Sequence, residues 1–254
     1  MNIKSKQTDA IILALSSKRA ADFAQLAPNG RKPFVKLNGK PAISYLIYSL
    51  RQCSMLNKVI LVTDCPDCDC VPEADASVLV DGDMNQAVLA GIGSVTAGRC
   101  LLMSGDMPLA SSGSVADLLE NAPDGDIVYP IVEKTDMARL MPGKVTFYLD
   151  TKEGSFTGSS CLLFDSQIAM SRQSVITRLL CARSDPRQLL GLLGPGLALK
   201  LMLGRTSIDD LQTQLSNALD MNCRVYITKY AELLISIDST ADVPLIEKHL
   251  SLPA

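Results

Sequence analysis

Three short stretches of this chain place polar and charged side chains directly after runs of core-type residues, and each has the chemistry of a polyphosphate site. The first is Ser16-Ser17-Lys18-Arg19, which follows the apolar run DAIILAL and leads on to Arg31-Lys32-Pro33. A triphosphate calls for main-chain N–H donors and cationic side chains, and a Ser-Ser-Lys-Arg loop supplies both kinds. An ordinary polar surface loop would read the same way. The second is Ser104-Gly105-Asp106-Met107-Pro108, after the run RCLLMS. A carboxylate set there between Gly and Pro suits Mg²⁺, an ion that takes few protein ligands and keeps water and phosphate oxygens for the rest. Asp106 would equally serve as a turn former. The third is Ser236-Ile237-Asp238-Ser239-Thr240, where another Asp lies between an apolar run and a helical pattern. Asp and Ser are favoured caps at such a place. Two carboxylates converging from separate strand ends make a better metal proposal than either alone.

Two further features sit outside that set. Cys65-Pro66-Asp67-Cys68-Asp69-Cys70 has the spacing of half a zinc or cluster site, with Cys53 or Asp69 as further ligands. A structural zinc needs four ligands and no second pair is evident, so a thiol-rich surface loop is the simpler reading. The single histidine, His249, falls in the last helical pattern and is not expected to act as a general base.

The elements that would carry these residues alternate between strand-like and helical patterns, which is the mark of a parallel sheet covered by helices. Strands are predicted at 9–15, 58–63, 77–80, 99–104, 126–132, 146–149, 160–164, 224–228 and 233–237. Pro130 within the fifth predicts a bulge or an edge position. Ile43, Leu46, Ile47 and Leu50 follow i, i+3, i+4, i+7 spacing after Pro41, which predicts a helix. Further helices are predicted at 85–92, from a Ser111 or Ser112 cap to about 121, and from 240 onward. Residues 165–216 read as helical, with breaks at Pro186 and at Gly194-Pro195-Gly196. The expected architecture is α/β: a mostly parallel central sheet flanked by helices, one domain over residues 1–254 with a helical subdomain at about 165–216.

Composition narrows the function classes. The 254 residues carry a net charge of −3 with dispersed basic residues, which argues against a nucleic-acid binder. The most apolar stretch, 189–203, is broken by Gly191, Gly194, Pro195, Gly196 and Lys200 and is too short for a bilayer span. It is suited instead to burial or to pairing with a copy of itself in a homodimer. The polar start of the chain lacks the pattern of a signal peptide, and the eight cysteines lack the spacing of a disulfide framework. A cytoplasmic location is the expectation.

Taken in order, DAIILAL, the loop to KPFVKLNGKP, LLMSGDMPL, GSFTGSSCLLF, LLGPGLALKLMLGR and SIDSTADV resemble the NTP-transferase family related to molybdopterin guanylyltransferases. The resemblance runs from about residue 9 to 249 and rests on the order and spacing of these segments. It implies a GT-A-like, Rossmann-like fold. It also implies that Asp106 is the metal-binding Asp after the central strand, that Asp238 is the second metal ligand, and that Lys32 contacts phosphate. Gly82 and Asn85, opening a helix, fall where the family positions the nucleotide. The family's first loop usually reads LAGGxGxR; here Leu15 and Ser16 replace glycines. Thr157-Gly158-Ser159-Ser160 stands where close relatives read TGGN.

The activity so implied is transfer of a nucleoside monophosphate from an NTP to a small phosphorylated acceptor, with release of pyrophosphate. Mg²⁺ would sit on Asp106 and Asp238, with Arg19 and Lys32 stabilising the leaving group and Ser16, Ser17 and Lys18 cradling phosphate. Two alternatives remain. One is a catalytically silent nucleotide-binding or scaffold protein on the same fold, which the missing glycines favour. The other is a nucleotide-sugar glycosyltransferase, against which the lone Asp of Gly105-Asp106-Met107-Pro108 counts.

Overall fold

The computed structural model describes residues 7–16, 20–27, 30–66, 74–81, 83–158, 160–176 and 206–251. Its centre is a nine-stranded mixed sheet. The strands of the main sheet are β1 (Thr8–Ala14), β4 (Leu56–Thr63), β5 (Ala76–Leu79), β6 (Arg99–Ser104), β7 (Ile127–Glu133), β8 (Leu149–Asp150), β9 (Ser155–Gly158), β10 (Cys161–Asp165) and β11 (Cys223–Ile227). A separate two-stranded piece pairs β2 (Lys36–Leu37) with β3 (Lys40–Pro41).

The sheet order is β5-β4-β1-β6-β10-β7-β9-β8, with β11 also paired to β7. β1 lies parallel between β4 and β6, and β4 is parallel to β5. β10 then runs antiparallel to both β6 and β7. The parallel half thus sends β1, β4, β5 and β6 toward one rim, where α/β sheets bind ligands.

β1 shows why the chain makes this sheet. All seven of its residues are buried, as expected of a strand covered on both faces. Ala10, Ile12 and Ala14 join one core while Ile11 and Leu13 join the other, following the two-residue period of a strand. The first core is covered by α1 (Ala42–Arg51), α3 (Ser112–Asn121) and α7 (Asp242–Leu250). The second is covered by α2 (Met84–Gly93), α5 (Ser166–Ser171) and α6 (Ile208–Leu219). A short α4 (Lys134–Leu140) follows β7. In α1 the four apolar residues predicted to share a face are all fully buried, each contributing about 1.5–3 kcal/mol.

Several expectations meet the structure with small shifts of boundary. The strand predicted at 99–104 is β6 itself, and Ser111 caps α3 by accepting the N–H of Ser114. The strand predicted at 146–149 shrinks to β8, and β9 is an additional strand. The largest change is at 233–237. This apolar run forms no ladder: Ala231–Leu234 is a 3₁₀ turn and the rest is irregular. Leu233, Leu234, Ile235 and Ile237 are buried beneath the sheet, and a short buried run reads alike as strand or as irregular core.

Pro130 is also placed differently from expectation. β7 is an interior strand, and Pro130 falls in the gap where its antiparallel partner changes from β10 at Val128 to β9 at Ile131. A residue lacking an N–H costs least where the ladder is already interrupted. Of the expected helical subdomain, α5 and α6 are described and residues 177–205 lie outside the described residues, including the apolar stretch 189–203. Among the described residues no helix is long and apolar enough to cross a membrane.

Candidate active site

The carboxyl ends of β1, β4 and β6 meet the returning end of the long first loop. Gly105 makes the closest approach possible. Its N–H donates to the Leu13 carbonyl at 2.8 Å, and a Cβ there would lie 3.1 Å from that oxygen and 3.1 Å from the Pro33 ring. A glycine therefore lets the segment carrying Lys32 and Pro33 press against the β6 tip. Gly30 turns the loop back toward it with φ +65°, tight against the Ala20 main chain.

This packing brings Lys32 to Asp106, with Nζ 3.9 Å from Oδ2. Lys32 also lies over the Phe23 ring, 5.5 Å from its centroid, and both it and Asp106 are largely shielded from solvent. The Ser104 hydroxyl donates to Asp106 Oδ1 at 2.5 Å. On the other side, the Ile237 N–H donates to the Asp106 carbonyl at 3.1 Å. That bond ties the residue next to Asp238 to the β6 tip. The two predicted carboxylates thus stand on main-chain segments that are hydrogen-bonded neighbours.

Asp238 belongs to a tight turn before α7. Its Oδ1 accepts from the Ser236 hydroxyl at 3.0 Å and its Oδ2 from Lys144 Nζ at 2.9 Å. Asp242, the first residue of α7, accepts the N–H groups of Asp238 and Ser239, both at 2.9 Å. Sequence reading did not single out Lys144 or Asp242. Their signal was weak: a lysine after Pro142-Gly143 and an acid in a first helical turn are ordinary.

A second ion pair lies beside the first loop. Asp64, directly after β4, accepts from Arg31 Nε at 2.9 Å and from the Ser16 N–H at 2.9 Å, and Arg31 Nη2 reaches the Asp64 carbonyl at 3.2 Å. Burial pushes the Asp64 carboxyl up, but the Ser16 hydrogen bonds and the Arg31 guanidinium outweigh it and hold it below its usual range. Asp64 follows an apolar strand much as Asp106 does, and that position was the available clue to it.

Of the predicted site residues, Lys32 pairs with Asp106, and the main chain next to Asp238 is hydrogen-bonded to that of Asp106. Ser16 is tied to Asp64, and Asn85 sits in the first turn of α2, its N–H given to the Asp83 cap at 2.9 Å. Ser17, Lys18, Arg19, Gly82 and Ser159 lie outside the described residues, as do Cys68 and Cys70. Cys65 is half-buried and Cys53 buried. Among the described residues no three His, Cys, Asp or Glu side chains gather as a metal group. His249 lies in the last turn of α7, seven residues beyond Asp242 and so about 10 Å along the helix.

The donor set at Asp106 and Asp238 fits a hard divalent cation. Both are carboxylates, they rise from adjoining segments, and one or two carboxylates are what Mg²⁺ takes from a protein when phosphates and water supply the rest.

Solved structures share the whole architecture. A hypothetical transferase from Thermus thermophilus is 27% identical with a TM-score of 0.82, over 93% of this chain and 99% of that one. CMP:2-keto-3-deoxy-manno-octonic acid synthetase complexed with CTP is 14% identical with a TM-score of 0.63, over 96% and 98%. A 4-diphosphocytidyl-2C-methyl-D-erythritol synthase from Anaerococcus prevotii is 16% identical with a TM-score of 0.58, over 98% of each chain. No curated protein sequence matches the chain significantly. A sequence match over residues 11–191 accompanies this shared fold, and the chain belongs to the family of the MobA-like NTP transferase domain.

Proposed function

We propose that the chain is a Mg²⁺-dependent nucleotidyltransferase that moves a nucleoside monophosphate from an NTP onto a small phosphorylated acceptor. The observation that carries the reading is the junction of Asp106, Lys32 and the Ile237–Asp238 segment at the β6 tip. The neighbouring synthetase whose structure contains CTP supports a nucleoside triphosphate as ligand.

In the proposed reaction an acceptor phosphate oxygen attacks the α-phosphorus. The bond from the α-phosphorus to the bridging oxygen breaks, and its electron pair leaves with pyrophosphate. A phosphate acceptor is already ionised at neutral pH, so no side chain need take its proton, consistent with the remote position of His249. Asp106 and Asp238 would hold Mg²⁺, which when bound supplies neutralisation of phosphate charge. Lys32 stabilises the departing pyrophosphate, joined by Arg19 from the first loop. Ser16, Ser17 and Lys18 line the phosphates, and Gly82 and Asn85 the nucleoside.

One observation favours the alternative of a silent nucleotide binder. The Ser16 N–H points to Asp64 rather than to open space, and Leu15 and Ser16 carry side chains where the family keeps glycines. Melting curves with the four NTPs and Mg²⁺ separate the readings at the first step. At least one NTP stabilises the native protein and not Asp106→Ala, following ligand linkage. Flat curves with every nucleotide sink the enzyme reading. A pyrophosphate-release assay across phosphorylated acceptors then tells transferase from binder.

A further inference from the structure

Residues 144–147 reverse the usual placement of side chains. Val145 is 89% exposed and Phe147 64%, while the Lys144 side chain is only 2% exposed. A lysine is rarely buried unless paired, and this one spends its ammonium on three oxygens. They are the Ser236 carbonyl at 2.9 Å, Asp238 Oδ2 at 2.9 Å and Asp242 Oδ2 at 3.1 Å. Asp242 is itself 4% exposed, so an ammonium there balances a buried carboxylate. Asp238 differs: its side chain is half exposed and needs no cation for its own solvation. The contact to Asp238 is therefore the one that burial alone does not explain.

Its electrical effect falls on the proposed site. The charges around the β6 tip and the α7 turn include the carboxylates of Asp106, Asp238 and Asp242 and the ammonium groups of Lys32 and Lys144. Lys144 thus sets a positive charge directly against the Asp238 carboxylate that a cation would meet. A bare divalent ion gains little there. A divalent ion already joined to a triphosphate brings anionic oxygens that the ammonium groups attract.

We propose that Lys144 is a positioning residue that orients Asp238 and lowers its pull on a bare divalent cation, so that the cation is accepted with the nucleotide rather than ahead of it. The inference rests on the nucleotidyltransferase reading and adds an order of loading to it.

Mn²⁺ titrations followed by electron paramagnetic resonance, which reports free ion, test it with a readout independent of turnover. The native protein binds Mn²⁺ alone weakly, and at least one of the four NTPs tightens that binding by tenfold or more. The double variant Lys144→Met/Asp242→Asn removes both members of the buried pair, strands no charge, and leaves an amide oxygen for the Asp238 and Ser239 N–H groups. It binds bare Mn²⁺ severalfold more tightly than the native protein, because Asp238 Oδ2 loses the ammonium 2.9 Å away that competes with the ion, while removal of the pair leaves the summed charge unchanged. Asp242→Asn alone keeps the ammonium and shows no tightening. Equal bare-Mn²⁺ affinity in the native and double-variant proteins overturns the role of Lys144. So does native binding of bare Mn²⁺ as tight as in the presence of nucleotide, a result that needs no variant to fold. If no NTP changes Mn²⁺ binding and Asp106→Ala matches the native protein, the nucleotidyltransferase reading falls and the inference with it. Nucleotide-dependent binding lost in Asp106→Ala, beside an unaltered double variant, removes the Lys144 role alone.

Discussion

Asp9 and Asp106 stand at opposite ends of the same pair of parallel strands, β1 and β6, and each is held by different chemistry. Asp9 is the second residue of β1 and is fully buried. It accepts from the Thr96 N–H at 2.7 Å, the Thr96 hydroxyl at 3.2 Å, the Ala97 N–H at 3.0 Å and Asn57 Nδ2 at 2.8 Å. Four fixed dipoles from two other chain segments satisfy it, with no cation in the set. Asp106 follows β6, and its partners include the Ser104 hydroxyl and the Lys32 ammonium, the latter at 3.9 Å. A carboxylate locked by short neutral donors fastens strands together. On the proposed function, the far rim of the sheet serves stability and the near rim binding.

That contrast breaks most sharply at Asp106. Asp106→Asn keeps an oxygen for the Ser104 hydroxyl and should fold normally, yet pyrophosphate release should fall by about 10²–10³-fold, the loss seen when one preorganised electrostatic group is removed. A loss below about tenfold would place Asp106 with the structural residues. Asp9→Ala should do the reverse. It leaves buried N–H groups of Thr96 and Ala97 unpaired, which costs about 2–3 kcal/mol, read as a lower urea midpoint. NTP affinity should not change.

Gly105→Ala lies between the two. A methyl group 3.1 Å from the Leu13 carbonyl and from Pro33 forces the Lys32 segment outward. It should cost about 1–2 kcal/mol of stability as an overpacking change and weaken NTP binding severalfold. Unchanged binding with lowered stability would show that Lys32 does not depend on that close contact.

Acid sharpens the comparison more gently. Burial raises the Asp9 pKa, but the bonds from Thr96, Asn57 and Ala97 outweigh it and leave the carboxyl below its usual value. A depressed folded-state pKa contributes stability that is complete above the unfolded carboxylate pKa of about 4 and is lost as pH falls through the folded value. The stability gap between native and Asp9→Asn proteins should therefore be constant from pH 8 to 5 and narrow below pH 4. The smallest effect is expected at His249. His249→Gln should leave turnover within about twofold, and a larger loss would bring the only histidine into the chemistry.

How far the sequence showed all this differs from one element to the next. RCLLMS reads as a buried strand and is one, because a run of apolar residues bounded by Arg99 and the Ser104-Gly105 turn has few other uses. Asp106 was visible as a candidate because a strand end beside Gly and Pro is a local feature. Asp64, with the same local position, drew no attention. Its partners Arg31 and Ser16 lie 33 and 48 positions away. Lys144 is 94 positions from Asp238, and nothing near either residue announces the other.

By itself the sequence determined the period of each element, hence which faces are apolar, and the residue types that arrive at each strand end. Those properties depend on neighbours within a few positions, so they survive without the fold. Only the tertiary structure decided that the 233–237 run becomes irregular core, that Gly105 admits Pro33, and which ammonium meets which carboxylate. Pairing of charges is set by distances of a few ångströms between segments remote in the chain, and chain closure over the sheet alone produces those distances.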